Sequence, residues 1–102
     1  MDFYEGSDAK LLIDIKAVGF NQSDDDYIIE VHNNDTVLTF NQNDIRDDAE
    51  GNHFLPITRD KLHVGSLVVV ITALIPDSHF PDGIRREKAK PIVLPPVKKA
   101  IA

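Results

Sequence analysis

The sequence predicts an all-β chain: one antiparallel β-sandwich of six or seven short strands, followed by an extended, proline-rich C-terminal tail. Three observations predict it. Apolar residues recur with a period of two, the spacing that puts alternate side chains on one face of a strand. The apolar runs are rich in β-branched Val, Ile and Thr, whose stiff side chains suit a pleated surface. Clusters of Asn, Asp, Gly and Pro interrupt these runs about every 10–15 residues, the rhythm of an all-β sandwich or barrel.

The elements follow in order. In KLLIDIKAV, residues 10–18, Leu11, Ile13, Ile15 and Ala17 share one face, and Gly19 with the polar run NQSDDD ends the strand. YIIEVH, residues 27–32, turns Tyr27, Ile29 and Val31 inward. Asn33-Asn34-Asp35 suits a tight turn, because Asn and Asp tolerate positive φ. Thr36 to Asn41 then returns as a strand with Leu38 and Phe40 inward, making a hairpin. Residues 41–52 are polar and read as a loop or short edge strand anchored by Ile45. HFLPIT, residues 53–58, is a short strand that Pro56 confines to an edge or an early stop. DKLHVG, residues 60–65, is a corner with Leu62 tucked under. SLVVVITALI, residues 66–75, is the strongest strand; apolar on both faces, it calls for cover on both sides. PDSHFPDG, residues 76–83, is a loop, and IRREKAK, residues 84–90, returns as a charged edge strand. The division is an N-terminal arm (1–8), a sandwich (9–90) and a tail (91–102). Without Cys or Trp, the sandwich is immunoglobulin-like in architecture only.

Composition bounds the function. With 102 residues and 42% hydrophobic content, one folded domain is expected. There is no Cys, so neither disulfides nor thiolate chemistry enter. The longest apolar run, residues 67–76, is half a membrane span. The N-terminus is acidic and lacks the apolar core of a secretory signal. Residues 1–60 carry 14 acidic against 4 basic side chains, whereas residues 61–102 carry 3 against 7. The acidic body argues against a nucleic-acid backbone as partner. The basic C-terminal third favours an acidic neighbour, including a second copy of the chain.

No catalytic constellation emerges. His32, His53, His63 and His79 share no metal-ligand spacing, and no Cys can join them. Asp24–Asp26 and the acids at 44–50 lack the spacing of a calcium-binding helix–loop–helix, and turn formation accounts for them. No Gly-x-Ser-x-Gly elbow and no glycine-rich phosphate loop is present. The sequence therefore predicts a non-enzymatic protein without a cofactor or metal.

The tail is the candidate site. Pro91, Pro95 and Pro96 oppose a helix and a central strand. Ile92, Val93, Leu94, Val97 and Ile101 are apolar, and Lys98 and Lys99 are basic. Proline keeps such a segment extended and lowers the entropy lost on docking. All ten residues are expected to contact a partner chain, leaving the sandwich folded without them.

Several motifs resemble a known family. The first strand ends in Gly19-Phe20, an acidic turn leads an aromatic-headed strand from Asp24 to Val31, Gly65-Ser66-Leu67 opens the long strand, and Pro76 to Gly83 forms a Pro-Asp…Phe-Pro-Asp-Gly loop. Over residues 9–89 this resembles immunoglobulin-like β-sandwich accessory proteins of the virion, of head-fibre or capsid-decoration type, from crAss-like phages infecting Bacteroides. The resemblance implies a structural protein made in the host cytoplasm and placed on the capsid surface, binding major capsid or fibre proteins. It supplies no catalytic residues and does not cover the tail. A homo-oligomer, with a dimer favoured, follows from the charge asymmetry and the edge strand near Ile84–Lys90; neither nucleic acid nor membrane is expected as a partner. The alternative reading is a small adhesion or carbohydrate-binding sandwich, with Tyr4, Phe20, Phe54 and Phe80 as its candidate aromatics.

Overall fold

The computed structural model describes residues 3–99. Nine strands follow in chain order: β1 (Phe3–Tyr4), β2 (Ala9–Leu12), β3 (Asp26–Asn33), β4 (Thr36–Asn41), β5 (Arg46–Asp47), β6 (His53–Ile57), β7 (Gly65–Pro76), β8 (Ile84–Lys88) and β9 (Ile92–Lys98). Among the described residues there is no α-helix, only a 3-10 turn at Gln42–Asp44. The chain is all-β, as its period-two pattern predicts.

The long strand β7 organises the larger sheet. It pairs antiparallel with β3 from Leu67 to Leu74. On its other edge, β9 takes the first half and β8 the second. The hairpin places β4 outside β3, with Asn34 at φ 55° in its turn. The result is a curled sheet in the order β1-β9-β7-β3-β4, with β8 beside β7. A small second sheet runs β2-β6-β5. One buried cluster joins the inward side chains of both: Leu11, Leu55 and Ile57 from the small sheet, and Tyr27, Ile29, Val31, Leu67, Val69 and Ile71 from the large one. These are the faces that alternation assigns to the interior, and Leu62 is buried with them as expected. Alternation also settles β6, where Leu55 is buried and Phe54 is not.

Four expectations are corrected. The larger sheet is mixed, because β1 runs parallel to β9. Among the described residues there are nine strands, because β1 and β5 are two-residue pairings too short to show a period. Within the expected N-terminal arm, Phe3 is buried in the core and Phe3–Tyr4 is a strand of the larger sheet, while residues 1–2 lie outside the described residues. Nor does the described part of the tail extend away from the domain: Ile92–Lys98 is a strand of its sheet.

Two smaller differences have local causes. The first strand stops at Leu12, although Ile13 stays buried and Ile15 remains inward. Beyond it, the Gln22 side chain replaces a partner strand: its amide donates to the Ile13 carbonyl at 2.9 Å and its oxygen accepts from the Ile15 N–H at 3.0 Å. The second face of β7 receives no third layer. Val68, Val70, Thr72 and Leu74 are half-buried, shielded by cross-strand neighbours such as Ile28 and Val93.

Candidate partner-contact surface

Tracing the predicted contact residues through β9 shows why three prolines fit a strand. Leu94 pairs with Leu67 and Ile92 with Val69, while Val93 faces the opposite side beside Val68. Odd-numbered residues of β7 direct their backbone toward this edge, as the bond from the Ala89 N–H to the Ile71 carbonyl shows. Ile92 and Leu94 therefore face β7, and the nitrogens of Pro91 and Pro95 point away from it, where no donor is needed. Pro96 falls in a bulge: Leu67 to Gly65 spans two steps on β7, whereas Leu94 to Val97 spans three on β9. That extra residue changes the parity and turns Val97 into the core, 2% exposed. Glu5 then closes the corner, its N–H donating to the Lys98 carbonyl at 2.8 Å.

The ten predicted residues thus divide. Val97 is core and Leu94 is half-buried. Pro91, Ile92, Val93, Pro95, Pro96, Lys98 and Lys99 are exposed, and Ile101 lies outside the described residues. The residues that could meet a partner are a subset of the tail, held by their own sheet.

That subset borders an open groove. Between β2 and β9 lies an apolar trough of about 270 Å³, lined by Phe3, Lys10, Leu11, Leu12, Ile13, Val69, Ile92 and Leu94. Leu12 on its rim is 72% exposed and Ile92 46%. Among the described residues β2 pairs only with β6. The Ile13 N–H donates to the His53 carbonyl, so odd residues of β2 face β6, and the N–H and C=O of Lys10 and Leu12 face the open edge. An apolar floor beside unused backbone groups is the arrangement that accepts an extended peptide as an added strand. Sequence reasoning missed the β2 half. Its signal was the odd-out Leu12, a large apolar side chain on the face assigned to solvent.

The polar clefts differ in chemistry. One, of about 540 Å³, is lined by Leu12–Ile15, Asn21–Ser23 and Gly51–His53. An adjoining one, of about 280 Å³, brings Asp24, Asp25, Tyr27, Gln42, Asp47 and His53 together. His53 Nδ1 lies 2.6 Å from Asp47 Oδ1. Ser23 lines both clefts with His53, and among the described residues no hydrogen bond links its hydroxyl to the imidazole. No group of three or more His, Asp and Glu among the described residues is placed to hold a metal ion. Tyr27 is packed edge-on against Phe20, with ring centroids 6.1 Å apart. Burial pushes its phenol up, against a hydrogen bond from Gln22.

The acids tie loops together. Asp48 Oδ1 accepts from the N–H groups of Glu50 and Asn52. Asp77 accepts from the His79 N–H and from Arg85 at 3.2 Å, and Asp82 accepts from Arg86 at 2.8 Å. These bonds favour the charged form and hold all three carboxyls below the ordinary value of 3.8, the His79 N–H contributing most at Asp77. A depressed folded-state pKa gives stability that is present above the unfolded value and lost as pH falls through the folded one. The melting temperature is therefore expected to stay level down to about pH 5 and to fall below about pH 4. Asp77→Asn should flatten that acid limb; an unchanged limb in the variant would show that the 76–83 loop does not couple to folding.

No protein-family model, no curated protein and no solved structure matches this chain.

Proposed function

We propose that the protein is a non-enzymatic structural component of a phage particle, an immunoglobulin-like sandwich that decorates the capsid surface or forms part of a head fibre by binding other virion proteins. The observation that carries the binding reading is the groove between β2 and β9. It offers apolar surface and open backbone groups in a chain whose remaining surface is rich in acids. The virion setting rests on the resemblance over residues 9–89. In this reading an extended apolar segment of a capsid or fibre protein lies along β2, with Leu12 and Ile92 against it. Self-association into a dimer belongs to the same reading.

The test is incorporation into particles. The protein is expected in purified virions at a fixed ratio to the major capsid protein, measured by quantitative mass spectrometry. Leu12→Glu and Ile92→Glu alter exposed rim residues and should reduce that ratio at least tenfold without lowering the melting temperature. Absence from the particles, or full incorporation of both variants, would overturn the proposal. The alternative, a carbohydrate-binding module, is favoured by the amides lining the 540 Å³ cleft. That lining contains no Phe, Tyr or Trp ring on which a sugar could stack.

A further inference from the structure

The open strand edges differ in how they are protected. β8 carries Arg85, Arg86, Glu87 and Lys88, and an antiparallel pairing with its own copy about Arg86 would oppose two guanidinium groups. The outer edge of β9 loses donors at Pro91 and Pro95. β2 carries Lys10 and borders the groove. β4 has none of these devices. Its six residues, TVLTFN, include no charge, no Pro and no Gly, in a chain of net charge −6. Natural edge strands of this length are normally blunted by one of them.

We infer that β4 is a self-association edge, at which two copies pair antiparallel about a two-fold axis through Leu38. The backbone supports one register. Asn33 and Thr36 close the hairpin, so Thr36, Leu38 and Phe40 direct their N–H and C=O toward β3. The alternation is confirmed at Tyr27, whose N–H on the same edge of β3 donates to the Gln42 side chain. Val37 and Thr39 therefore point their backbone groups outward. Asn41 does so too, but its N–H is already donated to Asp44 at 2.9 Å. Setting Val37 opposite Thr39 of the second copy uses all four outward groups of that pair on each chain and spares Asn41. Leu38 then meets its own copy on the inner face, and Phe40 covers Thr36. Both are partly exposed in the monomer and gain cover. Direct strand pairing of identical neutral edges is isologous and closes at two chains.

This rests on the self-association named above but moves it from the charged β8 edge and charge complementarity expected from the sequence to the neutral β4 edge; its readout is mass in solution, separate from particle incorporation. A single six-residue edge buries little area, so a weak dimer is expected, with half-dissociation in the high micromolar range. Sedimentation equilibrium on the full chain tests it. Thr39→Pro removes an outward N–H that the monomer does not use, and Thr39→Lys places like charges across the axis. Both variants should weaken dimerisation at least tenfold, with unchanged melting temperature in dilute solution. Amide exchange at Val37 and Thr39 should slow with rising concentration in the parent and not in the variants. Raising salt from about 0.05 to 1 M should leave the dimer intact, since no ion pair forms it. A monomer at about 1 mM, a dimer retained in both variants, or a dimer that dissociates with salt and protects the amides of β8 would overturn the inference.

Discussion

A chain ended after Lys90 is expected to lose its fold, and not merely a partner. The truncation removes β9, with Val97 and Leu94 from the core. It strips β1 of β9, its neighbour in the sheet, and leaves Phe3 without a floor. It also bares the first half of β7, the spine of the larger sheet. Full burial of one such apolar side chain contributes about 1.5–3 kcal/mol. The loss of Val97, Phe3 and most of Leu94 therefore amounts to roughly 4–8 kcal/mol, against a total stability of about 5–15 kcal/mol for a domain of this size. Circular dichroism should show either no cooperative transition or a midpoint lowered by more than about 20 °C. A truncated domain that melts within about 5 °C of the parent would mean that β9 is an accessory to a core complete without it.

The second large effect is expected from Asn33→Ala. Asn33 is the buried polar residue of the core, 1% exposed, at the end of β3. Its amide donates to the carbonyls of His63 at 3.0 Å and Ser66 at 2.9 Å, and its oxygen accepts from the His63 N–H at 2.7 Å. Neighbouring Asn34 repeats the device, donating to the Val64 carbonyl at 2.7 Å and accepting from the Ser66 N–H. Together they fasten the hairpin turn to the corner that starts β7. Gly65 sits at φ 135° in that corner, where a Cβ would overlap the Asn34 side chain. Removing the Asn33 amide takes the partner from the His63 N–H and C=O in a part-buried site, while the Ser66 carbonyl keeps the Asn34 N–H at 3.3 Å, at a cost of about 2–4 kcal/mol. Denaturant titration should show that loss with an unchanged m-value. A loss under about 0.5 kcal/mol would mean that water replaces the amide at no cost.

These two sites mark where the sequence could be read and where it could not. The strands β3, β4 and β7 were legible because each is long enough for parity to show, and every residue that alternation assigned to the interior of β3 and β7 is buried. Asn33 was legible only as a turn former. Nothing in its neighbours in sequence reveals that its side chain binds a corner 30 residues away. The proline-rich end misled for a specific reason. Proline is costly in a strand only where its nitrogen must donate, and here one bulge and the strand's alternation place all three nitrogens where none is required. The spacing Ile92, Leu94, Pro-Pro, Val97 carried that bulge in outline. The groove was half legible: Ile92 and Leu94 were named as contacts, whereas Lys10–Ile13 became visible only once the sheets were seen to part there.

The parallel pairing of β1 with β9 also sets an order in time. The hairpin of β3 and β4 closes over two residues, but the β1–β9 seam joins segments from opposite ends of the described chain. Loop closure over so long a stretch is entropically costly, and it is offset by two residue pairs, the Glu5 bond and the burial of Phe3. The seam should therefore close last in folding and open first in native fluctuations. The Glu5 amide would exchange with solvent hydrogen sooner than that of Ile29. During synthesis, the first half of β7 waits with one edge bare until Ile92–Lys98 leaves the ribosome. Over that interval Leu67 and Val69 are open to any extended apolar segment nearby, so how quickly this strand is delivered governs how much of the protein reaches its native sheet unaggregated.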